Sequence, residues 1–82
     1  MERLRQVGDC ERLLRSLGFT QVRVRYHLET ARIEVNEEEM EKFLDPLLRR
    51  RVVEAFETWG FKYVSLDLKG YRTGSMNALL EG

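Results

Sequence analysis

One short arrangement occurs twice in this chain, as Leu14-Arg15-Ser16-Leu17-Gly18-Phe19 and as Phe56-Glu57-Thr58-Trp59-Gly60-Phe61. Each copy takes a stripe of apolar residues at helical spacing into a glycine, which ends helices, and then into an aromatic residue that opens an alternating segment. Two helix-to-strand units are therefore expected, with the intervening residues joining them.

The first unit starts from Val7, Cys10, Leu13, Leu14 and Leu17, whose spacing predicts a helix that ends near Leu17 at Gly18, with Asp9 favouring its positive N-terminal end. Gln21 to Leu28 then alternates, placing Val22, Val24, Tyr26 and Leu28 on one face and Arg23, Arg25 and His27 on the other. After a turn at Glu29 and Thr30, Ala31, Ile33 and Val35 alternate with Arg32 and Glu34. So short a connection makes the two arms an antiparallel hairpin. Asn36 followed by Glu39 reads as an N-cap and capping-box acid for a short helix with Met40, Phe43 and Leu44 facing inward. Asp45-Pro46 restarts the helix, with Leu48, Val52, Phe56 and Trp59 as its apolar stripe, and a strand from Lys62 to Leu68 follows Gly60. Trp59 and Tyr63 are expected in the packing. The order α-β-β-α-β predicts one α+β domain over residues 1–82, a small sheet of about three strands with helices on one face and polar residues on the other. In the tail Gly70 to Asn77, Ser75 is placed to cap a last helical turn from Met76 to Leu80.

Size and charge bound the function. A chain of 82 residues buries only about 60% of its unfolded surface, which makes a partner or a homo-oligomer an expected source of stability. The lone Cys10 forms no internal disulfide and no Cys/His spacing suggests zinc, so a reducing cytoplasm is expected. No window approaches the roughly 18 apolar residues of a membrane span, and the N-terminus lacks a signal peptide's apolar core, so neither a membrane nor secretion is expected. Fourteen basic residues balance fourteen acidic ones, which removes the main sequence argument for nucleic acid. The acidic run Glu37, Glu38, Glu39, Glu41 and the basic run Arg49, Arg50, Arg51 read as solvated helix faces.

Chemistry is concentrated on the polar sheet face. Alternation puts Arg23 and Arg25 together, and the hairpin brings Arg32 and Glu34 opposite them. Two guanidinium groups at i and i+2 suit a phosphate or carboxylate ligand; a cross-strand salt-bridge ladder explains the same residues, and pattern alone favours the ladder. Glu11 and Glu34 are acids of the kind that hold Mg2+, although spacing does not join them. His27 shares the face without a nucleophile beside it, and Cys10 falls in the apolar stripe as a buried small residue. Gly70 to Asn77 lacks the spacing and the lysine of a phosphate-cradling loop.

Two segments together are more specific than any of these motifs. Arg23-Val24-Arg25-Tyr26-His27 leading into Ala31-Arg32-Ile33-Glu34-Val35, and Gly60 to Asn77 with its Gly70-Tyr71-Arg72-Thr73-Gly74-Ser75-Met76-Asn77, resemble the C-terminal domain of the LarE-type ATP-dependent sacrificial sulfur transferases of the PP-loop superfamily. The resemblance runs from about Glu11 to Asn77 without a large gap. It implies a role in building the nickel-pincer nucleotide cofactor, in which a pyridinium carboxylate mononucleotide is activated by ATP and receives sulfur. Arg23 and Arg25 then match a substrate phosphate-binding pair, and Glu11 and Glu34 match metal-site or catalytic-site carboxylates, of the kind that hold Mg2+.

The family's Ser-Gly-Gly-x-Asp-Ser phosphate loop has no counterpart here, so ATP is expected on a PP-loop partner subunit or domain and no catalytic residue is assigned to this chain. The family's sacrificial cysteine lies in a Cys-Leu-x-Ser-Arg context that Cys10 lacks, and that role is not carried over; Arg72 and Ser75 receive none. The expected function is a detached C-terminal module that offers arginines and carboxylates to a PP-loop partner. Its rival is a small homo-oligomeric interaction or regulatory domain without a catalytic role.

Overall fold

Both Gly-Phe junctions fold into the same helix-terminating motif. In the computed structural model, which describes residues 2–71, helix α1 spans Glu2–Ser16 and helix α2 spans Pro46–Thr58. After α1, the Phe19 amide donates to the Leu14 carbonyl at 3.2 Å and the Gly18 amide to Arg15 at 3.1 Å; after α2, Phe61 donates to Phe56 and Gly60 to Glu57, both at 3.0 Å. These are paired Schellman bonds, which satisfy carbonyls that a helix end leaves open. Both glycines sit at φ +104°, in the left-handed region where a Cβ is strained. The aromatic residue after each glycine turns inward, and Phe19 and Phe61 are both fully buried.

Strands β1 (Val22–His27) and β2 (Thr30–Val35) form an antiparallel hairpin, and β3 (Tyr63–Leu66) adds to β2 in parallel, giving the sheet order β1-β2-β3. A two-residue loop, Leu28 and Glu29, closes the hairpin, and Leu28 takes the positive φ of +55° that such loops require at their first position. Between β2 and β3 the chain crosses through a 3-10 helix, Glu37–Leu44, and α2. The Asp45 side chain accepts the Leu47 amide at 3.0 Å with Pro46 in the first turn, as the Asp-Pro pair predicts.

Cys10 and Leu14 of α1, Val52 and Phe56 of α2, Phe19, Phe61, and Val22, Val24, Ala31, Ile33 and Val35 of the sheet form one core. The helices thus cover one sheet face, as the α-β-β-α-β order predicts. Val22 and Val24 face inward and Arg23 and Arg25 outward, so the register follows the alternation.

Several local expectations change. α1 begins at Glu2, so Asp9 lies within the helix, where it pairs with Arg12 instead of serving the helix N-terminus. Asn36 makes no side-chain cap. Its amide donates to Thr20 Oγ1 at 3.2 Å, and Glu39 accepts the Thr20 amide at 3.0 Å, so both side chains tie the 3-10 helix to the loop before β1. That tertiary bond outcompetes the local capping box. Tyr26 is 44% exposed and Leu28 75% at the loop end of the hairpin, and Tyr63 is 59% exposed because it falls on the outward face of β3. The last strand is shorter than Lys62 to Leu68: at Asp67 the chain turns, and Tyr71 donates to the Val35 carbonyl at 2.7 Å. Arg72, Gly74, Ser75 and the helical turn expected from Met76 to Leu80 lie outside the described residues.

Candidate functional site

The register of the three strands sets out the polar face in rows. His27, Thr30 and Tyr63 form the row next to the hairpin loop, and Arg25, Arg32 and Ser65 form the next. Arg23 then faces Glu34, with Asp67 beginning the turn beside them. Basic side chains outnumber acidic ones, since three arginines meet Glu34 and Asp67.

Glu34 is the buried member, with its side chain only 10% exposed. One of its oxygens, Oε2, accepts from Arg25 Nε at 3.3 Å across the hairpin and from Arg32 Nη2 at 3.4 Å along its own strand. Arg32 Nε also lies 3.5 Å from Asp67 Oδ2. The ladder expected from the pattern therefore forms diagonally: Glu34 takes Arg25 and Arg32, while Arg23, its direct cross-strand neighbour, has no ion-pair partner among the described residues. Arg25 and Arg32 are each half-exposed and stand directly opposite one another. Like charges in that position repel, and the carboxylate beneath them offsets the repulsion.

Glu11 occupies a different place. From α1 its Oε2 accepts the Val24 amide of β1 at 2.9 Å, satisfying a backbone donor on the free edge of the sheet. The structure therefore does not join Glu11 to Glu34 through any shared contact. Among the described residues no group of three or more His, Cys, Asp or Glu side chains is placed to hold a metal ion. Within this chain the two acids are engaged by an amide and by guanidiniums, a donor set that does not fit a cation cage.

Cys10 is fully buried in the core, and burial, followed by the neighbouring charges of Asp9 and Glu11, pushes its thiol up to about 12. Such a thiol is inert at neutral pH. His27 is exposed and lines two clefts, one around the hairpin loop with Arg3 of α1 and one on the polar face. Arg32, Ser65 and Asp67 were not singled out as binding residues by the sequence. Arg32 was visible from the hairpin alternation, whereas Ser65 and Asp67 join the face only through the parallel pairing of β3. No helix among the described residues is long and apolar enough to cross a membrane.

Fold and face together define a small α+β module that presents guanidinium groups on one side of an open three-stranded sheet. Its sequence places it beside larger proteins. No family model matches it, but it is 42% identical over 80 residues to an uncharacterized protein of Synechocystis sp. and 46% identical over 79 residues to the pyridinium-3,5-bisthiocarboxylic acid mononucleotide synthase of Lactiplantibacillus plantarum. These matches take in 98% and 96% of this chain, and 30% and 28% of the two proteins. The chain spans less than a third of the length of these curated relatives.

Proposed function

We propose that this chain is the module that corresponds to the C-terminal domain of LarE-type sulfur transferases, and that it contributes a phosphate-binding face for a pyridinium mononucleotide. The observation that carries this reading is the 46% identity to a pyridinium mononucleotide synthase over 96% of the chain. Support also comes from the polar face. A mononucleotide carries a phosphate monoester, and among the described residues Arg23 has no ion-pair partner and Arg25 is held only at Nε, which leaves guanidinium donors to receive its oxygens. ATP activation belongs, on this reading, to a PP-loop unit outside the described residues. Glu11 and Glu34, taken up by the Val24 amide and by Arg25 and Arg32, hold no cation on this reading.

The chain's part in catalysis is positioning: arginines that neutralise a phosphate fix the nucleotide so that its carboxylate meets the activating site. The single-sided arrangement, a helix-covered core behind and arginines in front, makes this possible in a module of this size.

Titration calorimetry with nicotinic acid mononucleotide tests the reading. The wild-type chain is expected to bind it, and Arg23→Ala together with Arg25→Ala is expected to abolish the heat signal while leaving the circular dichroism spectrum unchanged. Absence of binding to the wild type, or equal binding to the double variant, overturns the arginine face as a nucleotide-phosphate site.

A further inference from the structure

We infer that the open edge of β3 and the flank of α2 beside it form a two-fold interface with a second copy of this chain. The inference is independent of the mononucleotide reading, since it uses neither the arginines nor the acids of the polar face.

The two edges of the sheet differ. At β1 the Val24 amide is taken by Glu11 Oε2 at 2.9 Å, so a side chain from α1 occupies that edge. At β3 the Tyr63 and Asp67 amides donate to the Glu29 and Ile33 carbonyls at 3.1 and 2.8 Å. Alternation then turns the amides and carbonyls of Val64 and Leu66 away from β2, where they meet no partner among the described residues. The half-buried side chains of the same two residues wall an apolar cleft of about 300 Å3 with Ile33, Phe43, Val52 and Val53. A strand laid on this edge makes main-chain bonds to Val64 and Leu66 and sets its alternate side chains against the cleft.

The flank of α2 that borders the cleft identifies the occupant. Arg49 and Val53 line this cleft and also a second one along the outside of the helix, together with Arg50, Glu54 and Glu57. Within Pro46–Thr58 the two arginines precede Val53 and the two glutamates follow it, so the flank is basic at one end and acidic at the other. All four charged residues are exposed, and none has an ion-pair partner among the described residues. A two-fold axis normal to the sheet at Ser65 runs β3 antiparallel to its copy and sets Val64 opposite Leu66. The same axis makes the two α2 helices antiparallel, with the basic end of each beside the acidic end of the other. An isologous interface requires this self-complementarity. An unrelated extended peptide satisfies the edge but leaves the charges of the flank unmatched.

Sedimentation equilibrium of the 82-residue chain, with hydrogen exchange at the Val64 and Leu66 amides, tests the interface. A reversible dimer is expected, with protection of both amides rising with protein concentration. Arg49→Glu with Arg50→Glu, and separately Glu54→Arg with Glu57→Arg, should each raise the dissociation constant by about tenfold or more. Both changes suit the helix macrodipole, with acids towards its N-terminus and bases towards its C-terminus, so the fold is retained. Mixed in equal amounts, the two variants should recover a dimer, because each acidic flank then meets a basic one. Val64→Pro removes an outward amide without touching the bonds to β2 and should also weaken the dimer. A chain that stays monomeric overturns the inference: protected amides in that monomer assign the edge to residues 72–82, and unprotected ones leave it to a different protein. A dimer that withstands both charge variants and Val64→Pro, or charge variants that fail to pair when mixed, overturns it equally.

Discussion

A glutamate buried beneath two half-exposed arginines controls the charge of the polar face. Glu34 is surrounded by Arg23 opposite, Arg25 diagonally and Arg32 two positions earlier, and its Oε2 serves the last two. Neutralising it leaves Arg25 and Arg32 facing each other, with Asp67 the one remaining acid paired to either among the described residues. Glu34→Gln is expected to destabilise the chain by about 1 kcal/mol and to reverse the sign of its salt dependence. Added salt screens attraction in the wild type and repulsion in the variant. Melting temperatures at low and high sodium chloride check this, and parallel salt responses would refute it. The alternation of the hairpin made this face legible, since it predicts which residues point outward. It does not predict which acid meets which base, because long side chains reach diagonally as readily as straight across. Cys10 illustrates the opposite case, in which burial alone decides. Its folded-state value of about 12 lies above the ordinary 9.0, so above about pH 9 the unfolded chain loses the thiol proton while the folded chain keeps it, and stability falls as pH rises towards 12. Denaturant midpoints at about pH 8 and about pH 10.5 should show a steeper loss for the wild type than for Cys10→Ala. Equal slopes would show that the thiol does not titrate differently on folding.

At the scale of elements, the twice-used Gly-Phe junction is the most legible feature of the chain, because its chemistry is entirely local. A helix must close its last carbonyls, glycine alone takes φ +104° cheaply, and the next residue is thrown back onto the helix it has just left. The capping box at Asn36 and Glu39 was less legible for the converse reason: Thr20, which both side chains bind, is distant in sequence. Leu28 lies between these cases. The short loop demanded a residue at positive φ, and the chain supplies a leucine at +55° that is 75% exposed, so nothing in packing compensates the strain. Leu28→Asn is therefore expected to stabilise the chain by about 1 kcal/mol, since asparagine tolerates this region without the added chain entropy of glycine. Thermal unfolding should move upward by about 4–8 °C. An unchanged or lower melting temperature would mean that contacts of Leu28 in the folded chain outweigh the strain.

For the molecule as a whole, binding and stability are placed on opposite sides of the same sheet. β2 is its central strand: its inward residues Ala31, Ile33 and Val35 meet the helices, while Arg32 and Glu34 belong to the polar face. The parallel addition of β3 requires the chain to cross the covered face through α2, and Phe56 lies where α2, Phe61 and Trp59 meet, with ring centroids 6.4 and 6.5 Å away. A chain of this length holds about 4–12 kcal/mol of stability, whereas removal of a fully buried phenylalanine costs about 3–5 kcal/mol. Phe56→Ala is thus expected to remove a large share of the fold's stability, and the loss should be cooperative, because one core serves both helices and all three strands. Circular dichroism and tryptophan fluorescence from Trp59 should then lose structure at one common, lowered denaturant midpoint. Midpoints that separate would mean that the hairpin with α1 survives without α2. Arginine variants on the polar face should leave that midpoint within a fraction of the shift produced by Phe56→Ala, since they remove nothing from the core. A face that binds can therefore be altered residue by residue while the sheet that carries it stays intact.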